Sequence, residues 1–196
     1  MRRMTLFLAL LVIAGGVAQA QTDMDLVINA RPAALLIDMD GKKFATTDAD
    51  GRRVSLSNVY TMPNIAAGVG IDIKDFYLDI TGGAGVLIND NFRSYMLEAS
   101  AALNMPLSES CMLGPRAGVV YFVDPEWTEN DDVDFDDTAG FLLGLQLTMG
   151  DKIQYLVSVD VLDMSMDADV AANVIPEDDE LDFTGLAIQF GVRGEF

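Results

Sequence analysis

The closing stretch of the chain, Leu186 to Phe196, reads LAIQFGVRGEF and leaves few folds open. Leu186, Ile188, Phe190, Val192, Gly194 and Phe196 share one face, and Ala187, Gln189, Gly191, Arg193 and Glu195 share the other. Strict period-two alternation makes a strand with one apolar and one polar face. Such a strand left at the rim of an open sheet is an unprotected edge. In a closed barrel it becomes the seam, paired with the first strand.

The opposite end carries an export signal. Arg2 and Arg3 precede a short apolar stretch, Thr5 to Val17, and Ala18-Gln19-Ala20 supplies a small-x-small cleavage site. The stretch falls short of the about 20 residues that a spanning helix requires. Residues 1–20 therefore read as a signal peptide and 21–196 as one domain. No segment of that domain reaches ~18 continuous apolar residues, so its apolar content is distributed over alternating strands. The formal charge of −19 becomes −21 without the two arginines of the signal, a balance that repels nucleic-acid phosphates. A single cysteine, Cys111, permits no internal disulfide and reads as a buried, inert thiol.

Eight strands are expected, over 24–36, 62–73, 76–88, 93–105, 110–123, 139–149, 152–164 and 183–196. The first is interrupted by Pro32, where a kink is expected, because proline cannot donate to a ladder. Short connections (Lys74-Asp75, Pro106 to Glu109, Gly150-Asp151) alternate with the segments 37–61, 89–92, 124–138 and 165–182, three of them long. Up-and-down strands produce this alternation, with tight turns at one end and loops at the other.

Side-chain size indicates which face points inward. The polar face is crowded with small residues, among them Gly68, Gly83, Ser100, Gly114, Gly118, Gly144 and Gly191. Small residues with a few charges suit the inside of a narrow barrel. Asp72, Asp79, Glu98, Arg116, Asp160, Arg193 and Glu195 would be those interior charges, with the two arginines pairing the carboxylates. On the apolar face, Phe76, Tyr155 and Phe196 lie near the turn end, and Tyr95, Tyr121 and Phe141 near the loop end. Aromatic girdles of this kind mark the two surfaces of a bilayer. The expected fold is all-β: an eight-stranded antiparallel up-and-down transmembrane β-barrel.

Export signal, amphipathic strands, alternating turn lengths and terminal Phe196 together resemble the small outer-membrane β-barrel proteins of the OmpA/OmpX type. The likeness covers the whole of 21–196 and departs from OmpA in lacking a C-terminal peptidoglycan-binding domain. It implies a place in the outer membrane of a Gram-negative bacterium, surrounded by outer-membrane lipid and lipopolysaccharide. It also implies that the barrel assembly machinery reads Gly185, Phe190 and Phe196 on the last strand.

Related barrels that act as enzymes resemble one another in using a histidine, and this chain has none. Histidine-based acyl transfer or hydrolysis is therefore closed to it, and zinc would have a poor ligand set. A non-enzyme without a cofactor is expected. The acidic loops are the functional candidates. Asp124 to Asp137 holds eight acids and Asp167 to Asp182 seven. Asp38 and Asp40 before Gly41, Asp48 and Asp50 before Gly51, and Asp131, Asp132 and Asp134 are weak calcium candidates; Asp-Gly equally marks a hairpin turn. Trp127, the only tryptophan, could contact a partner or cover the barrel mouth.

The expected role is structural or surface-interactive: envelope integrity, adhesion, or divalent-cation binding by external loops. Two alternatives stand beside it. One is a secreted lipocalin-like barrel that carries a hydrophobic ligand, and the other is a minor small-cation channel.

Overall fold

A computed structural model describes residues 24–39, 45–47, 53–128, 133–170, 175–176 and 180–196. Residues 1–20, expected to be a signal peptide, lie outside them. The described strands are β1 (Met24–Asp38), β2 (Ala45–Thr47), β3 (Arg53–Ser55), β4 (Val59–Thr61), β5 (Asn64–Ile73), β6 (Phe76–Ile88) and β7 (Phe92–Ser108). They continue with β8 (Cys111–Trp127), β9 (Val133–Phe135), β10 (Thr138–Gly150), β11 (Ile153–Val170), β12 (Ile175–Pro176) and β13 (Glu180–Glu195).

Every pairing is antiparallel, and the pairings close on themselves. β1 pairs with β5, β5 with β6, β6 with β7, β7 with β8, β8 with β10, β10 with β11, β11 with β13, and β13 returns to β1. These eight strands are the staves of an up-and-down barrel. β4 extends the β5 stave past Met62 and Pro63, and β9 extends the β10 stave. The seam closes at the last residue: Phe196 donates its N–H to Leu26 at 3.0 Å, and Leu26 donates back at 2.9 Å. β2, β3 and β12 form a separate small sheet.

Turn chemistry sets the tight end. Lys74 adopts φ 55° in the two-residue turn between β5 and β6, and Gly150 adopts φ 130° before the turn into β11. Pro32 sits in a register shift between Ala30 and Ala33. Four strands run three or more residues beyond their expected bounds: β7 to Ser108, β8 to Trp127, β11 to Val170 and β13 from Glu180. β7 runs through Pro106 to Ser108, and a register shift between Pro106 and Ser108 accommodates the missing N–H. β11 continues to Val170, six residues beyond the expected end.

The extension of β11 has a physical cause. On β11 the outward residues from Ile153 through Tyr155, Val157 and Val159 to Val161 are apolar, and the inward ones are Gln154, Ser158 and Asp160 around Leu156. From Leu162 the polarity inverts while the facing does not. Leu162, Met164 and Met166 point inward and are buried; Asp163, Ser165 and Asp167 point outward and are exposed. One strand thus passes from an apolar exterior to an acidic one. Nine tilted residues, Ile153 to Val161, give the apolar belt a height of roughly 20 Å.

Glycines let the inner walls approach closely. At Gly114 an added Cβ would lie 1.9 Å from the Leu103 carbonyl oxygen on β7. Backbone cannot yield as a flexible side chain can. Gly114→Ala is therefore expected to destabilise the barrel by about 1–3 kcal/mol, read as a lower urea midpoint in detergent. An unchanged midpoint would show that the wall relaxes freely.

Candidate functional site: the two-tiered lumen and the acidic rim

The polar interior occupies the turn-end half of the barrel, in two clusters. In the upper one, Arg116 of β8 reaches Glu98 of β7 with one nitrogen and Asp160 of β11 with the other. Arg31 of β1 donates to Glu98 at 3.1 Å and to Asn64 at 3.2 Å. Ser100 donates to Glu98 at 2.9 Å, and Ser158 to Asp160 at 3.0 Å. Two guanidiniums face two carboxylates, so this cluster is charge-balanced.

The lower cluster centres on Arg193 of β13. It donates to Asp79 at 2.8 Å and to Gln154 at 2.8 Å, and also holds Glu195. Asn104 and Gln146 donate to the second Asp79 oxygen at 3.0 and 3.3 Å. The Tyr77 ring lies 5.0 Å from the Arg193 guanidinium and its hydroxyl donates to Asp25 at 3.4 Å. Gly70 leaves the space into which that hydroxyl projects, since a Cβ there would meet it at 1.9 Å.

Of the charges assigned to the interior from sequence, Asp79, Glu98, Arg116, Asp160 and Arg193 lie buried in these clusters, and Glu195 lies half-buried at their lower end. Asp72 differs in being exposed rather than buried. It sits at the end of β5 beside the Lys74-Asp75 turn, where the wall meets water. Arg31, a central member, escaped the sequence reading. Its period-two relation to Val27 and Asn29 places it inward, but Pro32 next to it obscured the register.

Above the clusters the lumen is apolar, which corrects the expectation of a polar interior throughout. Leu36, Tyr60, Met62, Met96, Phe122 and Trp127 belong to one buried cluster, joined by Val133 and Phe135 from β9. Tyr60 and Phe92 meet edge to face at 5.6 Å, and Phe92 and Phe135 at 5.8 Å. Trp127 is 1 % exposed and fills the loop end of the lumen. Its burial, with that of Val133 and Phe135, ties both described ends of the acidic 124–138 segment to the barrel. The sequence signal was present in Met164 and Met166 alternating with Asp163, Ser165 and Asp167.

The acids decorate the outside of this apolar tier. Asp124, Asp134, Asp136, Asp137, Asp163, Asp167 and Asp169 are exposed on ordered strands or their ends. Asp137 accepts from the Asp124 N–H at 2.9 Å and from the Tyr121 hydroxyl at 3.2 Å. Exposed Arg93 is paired with Glu126 at 2.6 Å. Of the calcium candidates, Asp38 is half-buried at the end of β1 and Asp134 is exposed on β9; Asp40, Asp48, Asp50, Asp131 and Asp132 lie outside the described residues. Among the described residues no group of three or more acidic or cysteine side chains is arranged to hold a metal ion.

On the apolar face, Phe76, Tyr155 and Phe196 are exposed at the turn end, and Tyr95 and Phe141 at the loop end. Phe190 is exposed between them, and Gly185 is buried, facing Leu36 across the seam. Cys111 is half-buried at the start of β8.

No protein-family model matches the chain. No characterised protein matches it by sequence. Among solved structures it is similar to Neisserial surface protein A at 12% identity, over 87% of this chain and 97% of that one, with a TM-score of 0.42. It is also similar to the outer membrane protein AlkL, solved in lipid bilayers, at 13% identity over 90% and 92% of the two chains, TM-score 0.49. OmpT, an outer membrane protein of Vibrio cholerae, aligns at 13% identity over 88% of this chain and 52% of that one, TM-score 0.34.

Proposed function

We propose that the chain is a non-enzymatic integral protein of the bacterial outer membrane whose exposed end serves a structural or surface-interaction role. One observation carries this reading: the barrel is inside out at its turn-end half. Leu143 is 67 % exposed, Leu145 54 % and Tyr155 70 %, while Asp160 and Arg193 are fully buried. A continuous apolar belt around a charged interior is costly in water and favourable in hydrocarbon. The lipocalin-like alternative needs the reverse arrangement around its belt.

The acidic rim above the belt supports the finer part of the proposal. In an outer membrane its carboxylates would stand level with the phosphates of the outer leaflet, divalent cations would bridge the two, and lipopolysaccharide becomes the proposed neighbour. The filled apolar tier argues against bulk solute diffusion, and the absence of histidine against the chemistry of related enzymes.

Fractionation tests the reading directly. The protein is expected in the outer-membrane pellet, extractable by detergent, with gel mobility that changes on heating. A protein recovered free in periplasmic extract and monodisperse without surfactant would overturn it. Binding of Mg²⁺ or Ca²⁺ at millimolar levels, weakened by Asp163→Asn with Asp167→Asn, tests the rim. Unchanged binding in that double variant would remove the rim from the proposal.

A further inference from the structure

Two neighbouring staves change facing at the same height near the loop end. On β8, Arg116, Val120 and Phe122 are buried, yet beyond Val123 the buried residues are Pro125 and Trp127, with Asp124 exposed. On the next stave Gly140 and Leu142 of β10 are buried, but on β9 the buried residues are Val133 and Phe135, with Asp134 exposed and Asp136 exposed just after it. Each exchange comes from one extra residue in the stave. The step from Tyr95 to Arg93 on β7 faces the longer step from Val123 to Glu126 on β8. The step from Asp163 to Ala168 on β11 likewise faces the longer step from Phe141 to Phe135. Asp124, at the first bulge, holds φ 52° immediately before a proline, where extended backbone is the norm.

We propose that this pair of bulges is a register switch that plugs the loop end of the lumen, with the Asp137 carboxylate as its latch. Asp137 bridges the two staves. One of its oxygens accepts the Asp124 N–H at 2.9 Å, and the other accepts the Tyr121 hydroxyl at 3.2 Å. The Ser94 hydroxyl donates to the Val123 carbonyl at 3.1 Å beside the bulge, and Arg93 holds Glu126 on the outer face. Acidic and apolar residues alternate without a break over 124–127 and 133–136, so these stretches satisfy a period of two in either register. With both bulges, Trp127, Val133 and Phe135 fill the lumen. Without them, a one-residue slip would turn Asp124, Glu126, Asp134 and Asp136 inward and line an open mouth with carboxylates. The closed register holds while apolar burial outweighs the strained backbone at Asp124. Glu126 pairs with Asp134 across the ladder, so the two staves exchange together. The inference concerns the plug and is independent of what the acidic rim binds.

Trp127 is the only tryptophan, so its fluorescence reports the switch without a label. In the whole barrel held in detergent, Asp137→Ala is expected to move the emission to longer wavelength and to raise its quenching by acrylamide several-fold. Asp124→Val is expected to do the same, because a β-branched side chain does not tolerate the left-handed backbone of the bulge. Asp124→Gly accepts that backbone and is expected to leave Trp127 as protected as in the parent. Heat-dependent gel mobility shows in each variant that the barrel beneath is closed. A tryptophan that stays protected in both Asp137→Ala and Asp124→Val would overturn the switch, and so would one exposed equally by Asp124→Gly and Asp124→Val. Loss of heat-dependent mobility in both Asp137→Ala and Asp124→Val would overturn it too, since the two registers share one barrel below Val123.

Discussion

Replacing Arg116 by methionine is expected to destabilise the barrel by about 3–5 kcal/mol, the usual consequence of removing one partner from a buried ion pair. Arg116 sits between two carboxylates, Glu98 and Asp160, with 1 % of its side chain exposed. Methionine fills a similar volume but supplies no charge. Glu98 keeps Arg31, so Asp160 bears most of the loss; its remaining described partner is the Ser158 hydroxyl. The double variant Arg116→Met with Asp160→Asn restores charge balance and is expected to recover much of the stability. Urea unfolding of the three proteins in the same detergent provides the check. A loss under about 1 kcal/mol for Arg116→Met would mean that the carboxylates are solvated as freely as surface groups, and the buried network would lose its structural role.

The second large effect lies one residue away from that interior, on the opposite face. Leu145→Arg is expected to cost about 2–4 kcal/mol in a bilayer, because it places a guanidinium near the middle of the apolar belt. Leu145 is flanked outward by Leu143 and Leu147 and paired with Val159 and Pro115, so no carboxylate of the described neighbours shares its face. The same substitution on a water-facing strand would be nearly neutral. Folding yield into lipid vesicles distinguishes the two solvents. A variant that folds into vesicles as well as the parent would contradict hydrocarbon around β10. The result is independent of the lumen, since residue 145 points away from Gln146 and Gly144.

Both predictions exploit the same alternation, and it is instructive where the alternation could be followed in the sequence. Phe76 to Ile88 is assigned identically from sequence and structure, because large apolar residues alternate with small or polar ones throughout. The closing strand was equally plain, and so were Asp79, Glu98, Arg116, Asp160 and Arg193 as a set with one facing. Arg31 was hidden because a bulge at Pro32 shifts the register by one, and a one-residue shift exchanges the two faces of a strand. β11 was cut short for a different reason. Beyond Val161 the acids move to the outer face and the methionines stay inward, so the stretch reads by composition as a solvated loop although its period of two is unbroken.

The sequence by itself determined the period of two, the near-absence of long polar side chains along the belt, and five of the charges that share the polar face, Asp79, Glu98, Arg116, Asp160 and Arg193. Those are local properties, carried by neighbours two residues apart. Tertiary structure alone decided that the sheet closes with Phe196 bonded to Leu26, and that Arg116 sits between Glu98 and Asp160. It likewise decided that the lumen changes from polar to apolar at the height where the exterior turns acidic. Closure brings together side chains separated by up to 114 positions, as in Arg193 and Asp79, and no local pattern records which strand faces which across a barrel. Height along the axis depends on strand stagger, a property of the closed ring rather than of any one strand.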